Sequence, residues 1–382
     1  MIAGTRKPVV RVALATCLVA VMAVTASPAE AGNTKVLAYV GNNGTGTVAV
    51  VDNATKTVVH TISLTKGPNF GGMTDLAASP NGSRVYIGVA QAEPFSGRLY
   101  TIDTSSNAVV AALVIPLRPA GLAISPTGNR LYVTEASGDA VAVVDPKKNK
   151  IVATVAVGDH PLAAAVTPDG AHVYVANGEY DNPYPDPYPG PGTVSVIATA
   201  TNTVVATIQT PPHAQGVAVS PDGTRAYVTS SGDANYSDDG TVTVIDTATN
   251  TTLATVGLLG DNASGVAVSP DGKRVYAPTT GPSSYDGHSV GTLHVIDTAT
   301  NTVDDSLAAA VGRRPLRVAL TPDGGRAYVS NFDTMVDPTN QLTIVDTTAG
   351  PDGAMTVAAR LSTDSPDALP YGVTVFACRR CG

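Results

Sequence analysis

Short segments of alternating apolar and polar residues occupy the chain from about residue 36 to residue 377. Clear examples are TVVATI at 203–208, GVAVS at 216–220 and TVTVID at 241–246. A period of two is that of a strand with one buried face, and Val, Ile, Thr and Tyr favour strands. Helical periodicity is absent from this part of the sequence, which therefore predicts an all-β fold.

Two motifs recur along these segments. The first is a turn followed by a Tyr strand, as in SPDGTRAYV at 220–228, and its Tyr residues are 39, 86, 132, 174, 227, 276 and 328. The second is a strand that ends in Asp, at Asp52, Asp103, Asp145, Asp246, Asp297 and Asp346, with Ala198 in the remaining copy. Seven copies of a repeat of roughly 40–50 residues are typical of a β-propeller.

Each repeat supplies four antiparallel strands, which make one blade. In the Ser/Thr-Pro-Asp-Gly turns, Pro presets φ, Asp bonds the local backbone, and Gly takes the positive-φ position. The first copy lacks its innermost strand, and PYGVTVFA at 370–377 is left over at the other end. We therefore predict a seven-bladed β-propeller in which the C-terminal strand completes the N-terminal blade, which removes open sheet edges.

The YVTN-like strings, the (S/T)PDG turns and the VIDTATN segments at 244–250 and 295–301 resemble the YVTN-repeat family of β-propellers. The resemblance covers about residues 36–377 and implies the propeller fold and a location outside the cytoplasm. That family is functionally mixed, and lactonases and streptogramin lyases use similar rings. The resemblance therefore implies architecture and leaves the function open.

The N-terminus has the pattern of a secretory signal. Arg6, Lys7 and Arg11 precede an apolar run from Val12 to Val24, and Ala29-Glu30-Ala31 provides small residues for cleavage. We expect residues 1–31 to be a signal peptide, 32–377 the propeller and 378–382 a CxxC tail. The alternative is an uncleaved anchor, for which the run is short. The protein is expected to be secreted or associated with the cell envelope, with no membrane span after cleavage.

Charge argues against nucleic acid as a partner. Loss of Arg6, Lys7, Arg11 and Glu30 changes 23 Lys+Arg to 20 and 31 Asp+Glu to 30, which leaves a net charge of −10. Non-specific nucleic-acid binding depends on cations that neutralise phosphates. Cys378 and Cys381 remain after cleavage, and outside the cell such a pair favours a small disulfide loop over a redox or metal site.

Candidate site residues come from aligning the loops that enter the innermost strands. Seven positions before each turn Ser or Thr, the sequence places one residue per blade: Gly72, Arg118, His160, His213, Asn262, Arg314 and Leu369. We expect these to converge at the channel mouth, where Arg would bind an anion or carbonyl and His would act as a ligand or as an acid/base group. The bland interpretation is a set of solvated loop residues beside Pro.

Two further residues break a pattern of small residues. The innermost strands begin with Gly121, Ala163, Gly216, Gly265 and Gly372, whereas Asp75 and Arg317 occupy the corresponding positions in two blades. A carboxylate and a guanidinium near the channel entrance suggest a structural salt bridge or a bound ligand.

The outer loops are acidic and rich in Tyr and Pro. Asp233, Asn235, Asp238 and Asp239 lie close together in sequence and are weak candidates for Ca²⁺, which prefers several oxygen ligands. Their spacing matches no strict calcium loop, so we expect no cofactor unless it is Ca²⁺.

We consider two functions. The first is a monomeric binding or scaffold protein that uses the variable loop face for a protein, a cell-wall polymer or a small polar ligand. The second is an enzyme of the lactonase or lyase type, with His160 or His213 as general base and Arg118 and Arg314 holding an oxyanion. No nucleophile elbow, HExxH motif or phosphate loop occurs in the sequence, so the sequence favours the first function.

Overall fold

A computed structural model describes most of the chain after residue 33. The residues it describes are 34–64, 70–91, 96–178, 191–231, 240–260, 262–281, 289–332, 341–348, 354–365, 368–378 and 381. Strands dominate these residues, which contain one short 3-10 turn at Asp305–Leu307. Within the described ranges, no helix has the length and apolar character needed to span a membrane.

The described strands form seven antiparallel sheets, as the repeat predicted. Blade 1 contains β1 (Lys35–Asn42), β2 (Thr47–Asp52) and β3 (Thr57–Ser63), together with the last strand, β29 (Pro370–Cys378). Blade 2 contains β4 (Phe70–Ala78), β5 (Arg84–Gln91), β6 (Gly97–Asp103) and β7 (Ala108–Ile115). Blade 3 contains β8 (Pro119–Ile124), β9 (Leu131–Glu135), β10 (Ala140–Asp145) and β11 (Lys150–Ala156). Blade 4 contains β12 (Pro161–Val166), β13 (His172–Asn177), β14 (Gly192–Ala198) and β15 (Thr203–Thr210).

The remaining blades continue this order. Blade 5 contains β16 (Ala214–Val219), β17 (Arg225–Ser230), β18 (Thr241–Asp246) and β19 (Thr251–Gly257). Blade 6 contains β20 (Ala267–Val268), β21 (Arg274–Thr279), β22 (Thr292–Asp297), β23 (Thr302–Val303) and β24 (Ala309–Ala310). Blade 7 contains β25 (Pro315–Leu320), β26 (Arg326–Asn331), β27 (Leu342–Asp346) and β28 (Thr356–Leu361). In blade 6 the outermost strand is split in two around the 3-10 turn. The innermost strand is β29 in blade 1 and the first strand in each of blades 2 to 7, and these seven strands contact one another around a closed ring.

The ring closes through the two ends of the propeller. Strand β29 pairs with β1 in antiparallel register, with Leu37 opposite Phe376 and Tyr39 opposite Thr374. The rings of Tyr39 and Phe376 also pack with their centroids 5.4 Å apart. The predicted closure is confirmed. A disulfide joins Cys378, the last residue of β29, to Cys381, which is the small loop that the CxxC spacing predicted.

The (S/T)PDG motif forms the turn between the first and second strands of a blade. In blade 5 the Ser220 hydroxyl donates to the Asp222 carboxylate and accepts the backbone N–H of Arg225. Gly223 has a φ of 75°, and its N–H bonds the Ser220 carbonyl. The motif therefore recurs because each of its polar groups is used within the turn. We call the side of the ring that carries these turns the turn face.

The core lies between neighbouring blades and is not a single central cluster. The Tyr of the second strand is buried in each blade, and in blade 4 Tyr174 packs with Val228 and Ile245 of blade 5. Its hydroxyl donates to the Asn250 side chain at 2.7 Å. A buried Tyr hydroxyl needs such a partner, so the Tyr both fills the space between two blades and links them.

A bulge interrupts the outermost strand of most blades at one position. The residue left out of register is large, apolar and exposed in five blades: Val59, Val110, Val152, Val205 and Leu253. A bulge on an edge strand hinders pairing with another chain. The bulge therefore protects the outermost strand, whose edge is unpaired and whose exposed side chains are apolar, from pairing with another chain.

The innermost strands begin with small residues because adjacent blades approach each other closely there. A Cβ at Gly121 would lie 2.7 Å from the Ala163 Cα and 2.7 Å from the Leu162 carbonyl oxygen of the next blade. Backbone atoms of this kind cannot move aside easily.

We expect Gly121→Ala to lower the free energy of unfolding by about 1–3 kcal/mol, the usual cost of overpacking. Gly257→Ala is the matched control, because a Cβ there meets nothing within 4 Å. Urea denaturation of both variants checks this. Equal stability of the two variants would contradict the close approach of the inner strands.

Candidate functional site

The seven residues aligned from sequence have a common backbone role in most blades. In five blades their carbonyl oxygen accepts the N–H of the first residue after the second strand, at 2.8–3.2 Å. The five carbonyls are those of Arg118, His160, His213, Arg314 and Leu369. The alignment therefore selected structurally equivalent positions, each of which directs the chain into an innermost strand.

Several of these residues adopt the left-handed conformation. His160, His213, Asn262 and Arg314 have φ values of 51°, 59°, 52° and 47°, and Gly72 has 127°. Asn and His enter this region more readily than most residues, whereas Arg is unusual there. The tight turn into the innermost strand therefore explains the Asn and His residues at these positions without a bound ligand.

A cavity of about 290 Å³ lies at the mouth of the central channel. It is lined by residues from six of the seven blades: Thr74, Arg118, Pro119, Ala120, Ala136, His160, Leu162, Gln215, Arg317 and Tyr371. We call it the mouth cavity. Because so many blades contribute, it exists only in the closed ring.

The mouth cavity brings together three of the predicted site residues. Arg118 and His160 come from the loops that enter blades 3 and 4, and Arg317 lies on β25 of blade 7. The other aligned residues are not among the described lining residues. The Arg314 guanidinium lies 5.4 Å from the centroid of the Phe332 ring, and the His213 Nδ1 is 3.2 Å from the Gly178 carbonyl oxygen.

The imidazole of His160 is held in its neutral form. Burial lowers the pKa of His160, and the nearby Arg118 charge lowers it further. The Asp139 carboxylate opposes this shift and also accepts the backbone N–H of His160 at 3.0 Å. A hydrogen bond to the Ala136 backbone orients the ring. A neutral imidazole that donates from one nitrogen carries a lone pair on the other.

Asp75 links two blades and does not pair directly with Arg317. Its two carboxylate oxygens accept the backbone N–H groups of Leu76 and, in blade 3, Leu122, both at 2.9 Å. Burial raises the pKa of Asp75, while Arg317 and these two bonds lower it. The expected salt bridge is thus replaced by a longer-range attraction between Asp75 and Arg317.

Arg317 is oriented by other contacts. Its guanidinium donates to the Leu316 carbonyl at 3.3 Å and lies 5.7 Å from the centroid of the Tyr371 ring. Such a cation–π contact fixes a guanidinium without neutralising its charge. Arg317 can therefore hold a positive charge at the mouth cavity.

Sequence reasoning missed most of the uncharged lining. Five of these residues directly precede the small-residue position of their strand: Thr74, Ala120, Leu162, Gln215 and Tyr371. An alignment on the residue directly before the small-residue position would have found all five. Glu135 was also missed. It is 2% exposed, its pKa is raised by burial, and it replaces the Asn that ends YVAN in blade 4.

The donor set of the mouth cavity suits an anion. Its described lining contains two guanidinium groups, an imidazole and an amide but no carboxylate, whereas Ca²⁺ and Mg²⁺ prefer carboxylate oxygens. No group of three or more His, Cys, Asp or Glu able to hold a metal occurs within the described ranges. The Ca²⁺ candidates Asp233, Asn235, Asp238 and Asp239 fall outside those ranges.

We expect Arg118→Gln to raise the pKa of His160, because it removes a neighbouring positive charge. Arg130→Gln is the control, since Arg130 lies on the turn face beside Asp145. An NMR titration of the His160 ring measures both variants. Because the pKa of His160 is lower in the folded protein than in the unfolded chain, acidification protonates His160 in the unfolded chain first. The contribution of His160 to the free energy of unfolding is therefore fully present above pH 6.5 and is lost as the pH falls through the folded-state pKa. An unchanged pKa in Arg118→Gln would contradict the proximity of the two groups.

Solved structures share this architecture. The Kuenenia stuttgartiensis hydrazine synthase matches with a TM-score of 0.65 and 22% identity, over 82% of this chain and 91% of that chain. A functionally unknown protein from Desulfotomaculum acetoxidans matches with a TM-score of 0.64 and 16% identity, over 90% and 98% of the two chains. At such identities the likeness shows the fold alone. A search of curated proteins gave no match.

The family assignment comes from the sequence itself. Residues 9–232, more than half of the chain, match the family model described as the SMP-30/gluconolactonase/LRE-like region. The chain belongs to the SMP-30/gluconolactonase/LRE-like family of β-propellers.

Proposed function

We propose that this protein is exported, acts as a monomer and binds a small carboxylate-bearing ligand in the mouth cavity. The observation that supports this most strongly is the convergence of Arg118, His160 and Arg317 on a cavity whose described lining has no carboxylate. Guanidinium groups recognise carboxylates through paired, charge-assisted hydrogen bonds. The chain as a whole is acidic, so the positive charge of this lining contrasts with the overall charge of the protein.

The dimensions of the mouth cavity restrict the ligand. About 290 Å³ is at the small end of the range of ligand pockets. Gln215 offers amide groups for hydroxyls, and the Tyr371 ring offers an apolar edge. A sugar acid combines a carboxylate with hydroxyls in a molecule of about this size, and gluconate is a suitable first probe.

Calorimetry with gluconate and the mature chain tests the proposal. We expect Arg317→Gln to weaken binding roughly 10- to 100-fold, which corresponds to the usual contribution of a hydrogen bond to a charged group. Arg314→Gln is the matched control, because Arg314 stacks on Phe332 and does not line the cavity. Equal losses in the two variants, or no binding of gluconate by the wild type, would overturn the proposal.

A second candidate function is hydrolysis of a lactone or ester at the same cavity. The family match supports it, since the family is described partly as gluconolactonase. His160, neutral near pH 7, would take a proton from water as the water oxygen attacks the carbonyl carbon. Arg118 or Arg317 would stabilise the oxyanion. The bond between the carbonyl carbon and the ester oxygen then breaks, and the proton passes from His160 to the leaving alkoxide. The products are an alcohol and a carboxylic acid, which releases its proton to water and becomes a carboxylate.

Hydrolysis of glucono-1,5-lactone, corrected for the spontaneous rate, tests this second function. We expect His160→Asn to lower kcat by about 10²–10⁴-fold, the usual contribution of a general base. His213→Asn is the control, because His213 is not among the described lining residues. If His160→Asn keeps the full rate, His160 is not the base. If the wild type binds gluconate but hydrolyses nothing, the binding function alone remains.

Two finer assignments stay predictions. One is membership of the YVTN-repeat family. The other is binding of a protein or a cell-wall polymer by the variable loop face; residues 179–190, which the sequence assigns to that face, lie outside the described ranges.

A further inference from the structure

A second cavity, of about 530 Å³, lies between blades 2 and 3 on the turn face. Three turns bound it: residues 79–84 of blade 2 and residues 125–130 and 145–150 of blade 3. We call it the turn groove. It is on the opposite side of the ring from the mouth cavity and shares no lining residue with it.

The turn groove lacks the carboxylates that occupy the equivalent turns of other blades. Four blades have an Asp in the third position of the (S/T)PDG turn: Asp169, Asp222, Asp271 and Asp323. The two turns that border the groove have Asn81 and Thr127 instead. The Asn81 side chain still accepts the Ser83 N–H at 3.1 Å, as the Asp169 side chain accepts that of Ala171. Asn81 thus preserves the turn and removes the negative charge that Asp carries in the other blades.

The third turn adds positive charge to the same place. Residues 145–150 read DPKKNK, whereas the corresponding turns at 246–251 and 297–302 read DTATNT. Lys147 lines the groove, and Lys148 and Lys150 belong to the same turn. Among the seven turns of this type, each of the others has at most one Lys. Two losses of negative charge and a gain of three cations therefore coincide at one cavity.

Two of these lysines are not neutralised within the described part of the protein. Asp145 pairs with Lys148 at 3.6 Å and with Arg130 at 3.8 Å, and Arg84 pairs with Asp103. Lys147 and Lys150 form no ion pair with any described carboxylate and are exposed. The three turns and their ion-pair partners thus contain five cations and two carboxylates, of which Arg84 and Lys147 line the groove, on a chain whose overall charge is −8.

The uncharged lining indicates what kind of anion fits. The Ser83 hydroxyl donates to Asn81 and the Asn149 amide donates to the Ala112 carbonyl. The oxygens of these two groups can still accept hydrogen bonds from sugar hydroxyls. Pro80, Pro146 and the 53% exposed Val110 provide apolar surface for the C–H faces of sugar rings. We infer that the turn groove binds a carboxylate-bearing polysaccharide, with Arg84 and the lysines of 145–150 contacting its carboxylates.

Affinity for polygalacturonate, measured by calorimetry at low and high NaCl, tests this inference. The main variant converts 146–150 into the TATNT of 247–251, by Pro146→Thr, Lys147→Ala, Lys148→Thr and Lys150→Thr. The same turn already exists in two other blades, so the fold is expected to tolerate it. We expect a loss of roughly tenfold or more, since three exposed charge contacts are removed. Added salt should weaken wild-type binding.

The control removes three cations elsewhere, by Lys35→Ser, Lys56→Asn and Lys273→Thr, and so has the same net charge as the main variant. Retained affinity in this control, and in Arg317→Gln at the mouth cavity, supports the turn groove as the site. An equal loss in the control would show non-specific attraction and overturn the inference. Equal binding of poly-L-glutamate would overturn the sugar assignment, and no wild-type binding to polygalacturonate would overturn the inference as a whole.

Discussion

The pairing of β29 with β1 is the interaction on which the rest of the structure depends. It joins residues more than 300 positions apart in sequence, and it turns a row of sheets into a ring in which the innermost strand of each blade contacts two others. Tyr371, on the closing strand, stacks against Arg317 of blade 7. Without closure the mouth cavity would lose one wall and the contact that orients its guanidinium.

The repeated parts of each blade support a surface that is free to vary. The (S/T)PDG turn, the buried Tyr and the bulged outer strand satisfy their own hydrogen bonds or fill the space between blades. Because these devices recur, single departures from them stand out. Arg317 occupies a position that is small in most blades. Lys147 stands where other blades have a neutral residue, and Asn81 stands where four blades have Asp. Both cavities with excess positive charge occur where the repeat departs from its own pattern.

Much of the fold was predictable because its determinants are local and repeated. The blade count, the turns and the closing strand all follow from motifs visible in the sequence. The site was predictable only in part. The alignment found equivalent backbone positions, but it could not show that Arg314 stacks on Phe332 while Arg118 faces the cavity. It also could not show that Asp75 bonds the backbone of the next blade. Side-chain direction and contacts between blades depend on packing, which strand periodicity does not encode.

Hydrogen–deuterium exchange of the two closing segments tests this account most directly. Amides in core strands exchange only when the whole domain opens. We expect residues 370–377 to be as strongly protected as residues 36–41 and to lose protection together with them in increasing denaturant. Exchange of 370–377 within seconds, while 36–41 stay protected, would show that the ring is not closed by this strand.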